Sequence, residues 1–260
     1  MRHWLVLTLC SVTLLCNASD PLTLRLTGAW ESDKGSVEPL LQSVAREFMP
    51  LFPDTKLPVI EVEQKGGPIT LFKRGPNGEI RVKLDSAGTL WAQYSFQFAH
   101  ELGHILCRYD DDTHRNKWFE ESLCEMASLF ALHRMAESWK TQPPFSNWKD
   151  YAPHLRKYAD ERTTKAQLPA GVTLAAWYAE RAEAFSKNAT QRDNNLVIAT
   201  ALLPYFEENP ERWAAVWYLN VETHTPAFTF RDYLNAWRKN APKNHHPVID
   251  EIAKRLGVPL

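Results

Sequence analysis

Near the middle of the chain two histidines stand four residues apart, with a glutamate directly after the first: His100-Glu101-Leu102-Gly103-His104. Residues four apart share one face of an α-helix, so His100 and His104 can direct two imidazole nitrogens at one ion. Glu101 lies one residue along, where its carboxylate can reach a water on that ion without binding the ion itself. Such a set suits a hydrolytic zinc site. Zinc lowers the pKa of a water toward neutrality, and the carboxylate takes the proton as that water attacks a carbonyl. The motif sits among apolar residues at helical spacing, Trp91, Tyr94, Phe98, Leu102 and Ile105. Gly103 in mid-helix costs up to ~1 kcal/mol relative to alanine, which predicts that a neighbouring element approaches closely there.

The run Phe98-Ala99-His100-Glu101-Leu102-Gly103-His104-Ile105-Leu106 resembles the active-site helix of zincin metallopeptidases. In the gluzincin branch the third ligand is a glutamate on the next helix, within a stretch like Trp-x-x-Glu-Gly-x-Ala-Glu. The corresponding stretch here is Trp118-Phe119-Glu120-Glu121-Ser122-Leu123-Cys124-Glu125, with Ser122 in place of the glycine and Cys124 in place of the alanine. The resemblance implies one Zn²⁺ per chain held by His100, His104 and Glu121, with Glu101 as general base. It also implies that Glu125, four residues beyond Glu121, accepts a hydrogen bond from the far nitrogen of a ligating histidine. Glu120 and Glu121 are adjacent and are not expected to point inward together; Glu121 holds the ligand position. The substrate implied is a peptide or protein.

A second zincin branch places its last ligand where Asp110 stands, after a glycine that turns the chain. This sequence has Cys107 in place of that glycine, so the helix is expected to continue and Asp110 to lie in an acidic loop with Asp111 and Asp112. Cys107 lies three residues past His104, and Cys124 three past Glu121. If both helices serve one ion, the two form a possible disulfide; two separately buried thiols are the alternative. For stabilising an oxyanion, the candidates are Tyr205, Tyr218 and His224. The stretch Arg192-Asp193-Asn194-Asn195-Leu196-Val197 resembles a family segment that carries a tyrosine, but has none. That departure supports an alternative function, a zinc-binding scaffold with weak or no catalysis.

The elements that must position these residues read as an α+β fold. Strands are expected at 22–26, 57–62, 69–73 and 80–84, with a helix at 37–49, together making a small antiparallel sheet on the motif helix. The motif helix runs from about Leu90 to Tyr109, capped by Ser86 or Thr89. A second long helix spans 118–139, and further helices are expected at 148–161, 173–186, 194–208, 211–219, 231–239 and 247–256. The resulting domain covers 19–260, with a sheet-bearing lobe to about residue 110 and a helical lobe from about 111.

Of the 260 residues, 44% are hydrophobic and 23% charged, as in soluble globular proteins. The formal net charge of -1 offers no basic excess for nucleic acid. Ten tryptophans predict an aromatic-rich core. At the N-terminus, Arg2 and His3 precede an apolar run from Trp4 to Leu15 and the small or polar residues Cys16-Asn17-Ala18-Ser19. That order is expected of a signal peptide over residues 1–18, leading to a secreted or periplasmic protein without stable membrane insertion.

Overall fold

The computed structural model describes residues 20–260, and the expected signal peptide lies outside them. The fold is α+β. Strands β1 (Leu24–Thr27), β2 (Ile60–Gln64), β3 (Ile69–Leu71) and β4 (Ile80–Leu84) form one sheet in the order β1-β2-β4-β3. Helix α1 (Lys34–Phe48) joins β1 to β2, which run parallel.

The sheet is mixed, not antiparallel as expected. β2 and β4 are parallel, and only the β3–β4 pair is antiparallel. The turn after β2 looks in sequence like a hairpin, but β4 is inserted between β2 and β3. Strand β4 runs so close behind this turn that a Cβ on Gly67 would lie 2.2 Å from the Lys83 carbonyl oxygen. Glycine is therefore required there for packing. The alternation read from 80–84 is present. Ile80, Val82 and Leu84 are buried, while Arg81 and Lys83 oppose Glu61 and Glu63 on the outer face.

The motif helix, α2 (Trp91–Leu106), begins without a side-chain cap. Thr89 contributes only its carbonyl to the Trp91 N–H, at 2.8 Å, and the Ser86 carbonyl accepts from the Tyr94 hydroxyl instead. The helix ends at Leu106, earlier than expected. Arg108 turns the chain at φ 58°, and the Tyr109 N–H closes back on the His104 carbonyl at 3.0 Å. The turn assigned to a glycine in the rival zincin pattern is thus made by Arg108.

Helix α3 (Lys117–Ser138) is buried along nearly its whole length and crosses α2 at the motif. The crossing explains Gly103, where a Cβ would stand 3.1 Å from Cys124 Cα and Sγ and 3.3 Å from Ala127 Cβ. Around α3 lie α4 (Ala152–Lys165), α5 (Leu174–Ala179), α6 (Ala182–Lys187), α7 (Arg192–Glu208), α8 (Phe230–Asn240) and α9 (His246–Arg255). The helix expected at 173–186 is split at Glu180–Arg181, and 211–219 is a 3-10 helix spanning Pro210–Tyr218. Trp118, Trp139, Trp213 and Trp237 are fully buried, in keeping with the aromatic core expected. Among the described residues no helix is long and apolar enough to cross a membrane.

Candidate metal centre

Helix α2 turns His100 and His104 to one side, with ring centroids 5.0 Å apart. The first turns of α3 lie across them. Glu121 Oε2 is 3.3 Å from His100 Nε2, and its Oε1 is 3.8 Å from His104 Nε2. One carboxylate therefore faces both Nε2 atoms, and the site lies at the base of a cleft of about 460 Å³. That volume suits a bound ligand. Two imidazoles and a carboxylate gathered on one side of an open cleft are a donor set that zinc accepts.

The far nitrogens are also engaged. His104 Nδ1 lies 2.6 Å from Glu120 Oε1, whereas His100 Nδ1 lies 3.8 Å from Glu125 Oε1, too far for a hydrogen bond. Glu120 and Glu121 thus both point inward, contrary to expectation. Two adjacent residues diverge by a quarter-turn of helix, and the His104 ring fits between them, offering a different nitrogen to each. Glu120 stands in the first turn of α3, where the partial positive charge of the helix end favours an ionised carboxylate. Its Oε2 accepts from Asn220 Nδ2 at 2.8 Å, and Asn220 Oδ1 accepts from the Tyr233 hydroxyl at 2.7 Å. Asn220 and Tyr233 carry no sequence signal, being about a hundred residues from the motif.

In the metal-free chain this surrounding charge dominates the protonation of both rings. Burial opposes charge on His104, but the hydrogen bond and charge of Glu120, with Glu121 and Glu101, outweigh it and lift its pKa to about 10. His100 is raised in the same way, against burial, by Glu121 and Glu125. Burial raises Glu121, but its hydrogen bond to His100 and the two histidine charges prevail and lower it. Burial raises Glu125.

Glu101 is 2% exposed, and its carboxylate opens onto the cleft. Thr70, on the edge strand β3, donates its hydroxyl to Glu101 Oε2 at 2.8 Å. Sequence reasoning missed this partner because a lone threonine on a three-residue strand has no pattern.

The third donor whose ligand atom lies within 4.8 Å of one nitrogen of each histidine, with those nitrogens equally close to each other, is the Cys124 thiol. It is nevertheless fully buried, does not line the cleft, and is pushed well above the usual thiol range by burial and its contact with Cys107. Glu121 faces both Nε2 atoms from the cleft and is the better-placed third donor. Of the two readings open for Cys107 and Cys124, the structure has them as buried, neighbouring free thiols. Asp110 reaches the cleft wall, but its carboxylate accepts from the Asp111 N–H at 2.6 Å and the Thr223 hydroxyl at 3.3 Å.

None of Tyr205, Tyr218 and His224 lines the cleft. Tyr205 lies beneath Arg212 and Arg255, Tyr218 packs on His245, and His224 is buried elsewhere. The polar cleft walls are instead supplied by Tyr109, Lys117, Tyr158, Arg162 and Arg192. Compared with known protein families, with curated proteins and with solved structures, the chain matches none.

Proposed function

We propose that the chain is an exported zinc metallopeptidase whose centre is held by His100, His104 and Glu121. The observation that carries this reading is the Glu121 carboxylate facing both Nε2 atoms on the same cleft onto which Glu101 opens. Zinc held by these three residues would supply a water of lowered pKa and Lewis-acid polarisation of a carbonyl. Thr70 occupies Glu101 Oε2, so Oε1 is left to take the proton of the attacking water and to hand it to the departing nitrogen. Glu120 holds His104 by its Nδ1 and keeps Nε2 turned to the centre. Arg162, Arg192 and Lys117 place positive charge on the walls for a developing oxyanion or a substrate carboxylate. Export rests on the order of charged, apolar and small residues in 1–18.

A second reading, a zinc-binding scaffold with little catalysis, draws on the absence of Tyr205, Tyr218 and His224 from the cleft. A peptide-library digestion comparing wild type with Glu101→Gln, with zinc counted on both, separates the two. Cleavage by wild type that falls at least about a hundredfold in the variant at unchanged zinc supports the peptidase. Zinc in both proteins without cleavage by either supports the scaffold, and no zinc in wild type removes both readings.

A further inference from the structure

Away from the cleft centre, a second group of metal-type donors converges between two irregular segments, residues 107–116 and 219–229. Asp112 Oδ1 lies 3.3 Å from His114 Nε2, and Asp112 Oδ2 lies 3.4 Å from His224 Nδ1. The three side chains are 3%, 2% and 0% exposed, in the same order. One ligand atom from each falls within 4.8 Å of the others. Among the described residues, Asp112 Oδ1 and both ring nitrogens of His224 have no hydrogen-bond partner. Buried polar atoms are seldom left so, and a ligand among these side chains would satisfy Asp112 Oδ1 and one of the His224 nitrogens.

The spacings carry the argument. Two donors each 2.0–2.1 Å from a tetrahedral zinc ion stand ~3.3–3.4 Å apart. Each imidazole–carboxylate distance is close to that edge, on a different Asp112 oxygen, and is longer than a good hydrogen bond between these groups. An ion held through one oxygen therefore needs only a small turn of the carboxylate. We propose that Asp112, His114 and His224 form a second, structural metal site for a zinc-class divalent cation, distinct from the centre at His100, His104 and Glu121.

Two imidazoles and one carboxylate select such an ion over calcium or magnesium, which take oxygen ligands. The surroundings exclude water. The Tyr233 ring packs 4.8 Å from both histidine rings, and Phe228 lies 5.3 Å from His224. The Tyr233 hydroxyl is committed to Asn220. Lys117 Nζ is the nearby cation, 3.6 Å from Asp112 Oδ1, but it donates to the Asp110 carbonyl at 2.9 Å and can stay there. His114 Nδ1 accepts from the Asn116 N–H at 3.1 Å, which leaves the ring proton on Nε2. Loading through Nε2 therefore moves that proton to Nδ1 and opens the Asn116 contact. The Asn116 side chain remains held by the Phe228 and Thr229 carbonyls. The ion would tie together two segments that carry neither helix nor strand, one of which brings Tyr109 and Asp110 to the cleft wall.

The inference is independent of the peptidase reading, and metal counting separates them. Zinc chloride is added to the purified chain, excess is dialysed away, and zinc per chain is measured by mass spectrometry. Two per chain are expected in wild type, one in His100→Gln/His104→Gln, and one in His224→Gln. Cobalt in the His100→Gln/His104→Gln protein should show the visible bands of a low-coordinate site. If His224→Gln does not fold, wild type and the double variant decide. One ion retained by a folded double variant supports the second site, even where wild type holds only one and the cleft reading fails. A folded double variant that holds none, or a wild type that holds none, overturns it.

Discussion

Thr70→Val tests whether the geometry around Glu101 serves a reaction. Valine has nearly the shape of threonine and suits a strand, so β3 keeps its pairing with β4 and the buried position stays filled. What is lost is the 2.8 Å hydrogen bond from Thr70 Oγ1 to Glu101 Oε2. A hydrogen bond to a charged group contributes about 1.5–3 kcal/mol. Glu101 is 2% exposed, so water does not readily replace the lost donor. If that energy holds the carboxylate in its working position, kcat falls roughly ten- to a hundredfold, since each ~1.4 kcal/mol is a factor of ten. Zinc content should not change, because Thr70 touches neither histidine nor Glu121. The assay is turnover of whichever peptide the wild type cleaves in the library digestion, with zinc counted on the same samples. Thr70→Ser keeps the hydroxyl and should recover most of the rate. A Thr70→Val protein within twofold of wild type would refute the role given to this contact. Loss of zinc would show that the edge strand supports the metal site and not the base.

Other expectations are shorter. Glu120→Ala leaves His104 Nδ1 without its 2.6 Å partner and should weaken zinc binding about 10- to 100-fold in competition with a chromophoric chelator; unchanged affinity would leave Glu120 without a part in the centre. Gly103→Val places a branched side chain 3.1 Å from the Cys124 backbone, forcing α2 and α3 apart. About 1–3 kcal/mol of stability should go, together with zinc retention, as read by urea unfolding and metal counting. At acid pH, Glu79 is informative. The Asn77 side chain, then backbone N–H groups and the Arg25 charge, hold its carboxyl down at about 2. A carboxyl lowered on folding contributes stability that is present above its unfolded value and lost as pH falls through the folded one. Stability should therefore decline between about pH 4.5 and 2, and Glu79→Gln should flatten that part of the curve; an unchanged slope would count against the turn.

Much of the site was legible because its logic is local. The four-residue spacing of His100 and His104 places both rings on one helix face in any fold that leaves the segment helical. The close approach at Gly103 was readable for the same reason, since glycine inside a helix is costly unless something lies against it. Glu121 was reached through the resemblance of its helix to a known pattern, and the structure brings it to both rings. The strands were placed well by alternation, but their partners were not. Hairpin turns suggest antiparallel neighbours, and nothing in residues 60–71 announces that β4 will insert between β2 and β3.

What the folded chain alone decided is who stands beside the motif. The sequence pattern singles out Glu121 but assigns Glu120 no part, and the two divide the His104 nitrogens only because α3 crosses α2 at one angle and height. Thr70, Asn220 and Tyr233 arrive from distant segments through packing, as do Asp112, His114 and His224. Residue types and short spacings specify which chemistry is available on one helix, since helical geometry is the same everywhere. The partners that hold those groups in place come from other segments, 16 residues away for Glu120 and His104, 31 for Thr70 and Glu101 and 100 for Asn220 and Glu120, and only burial of the common core brings them together.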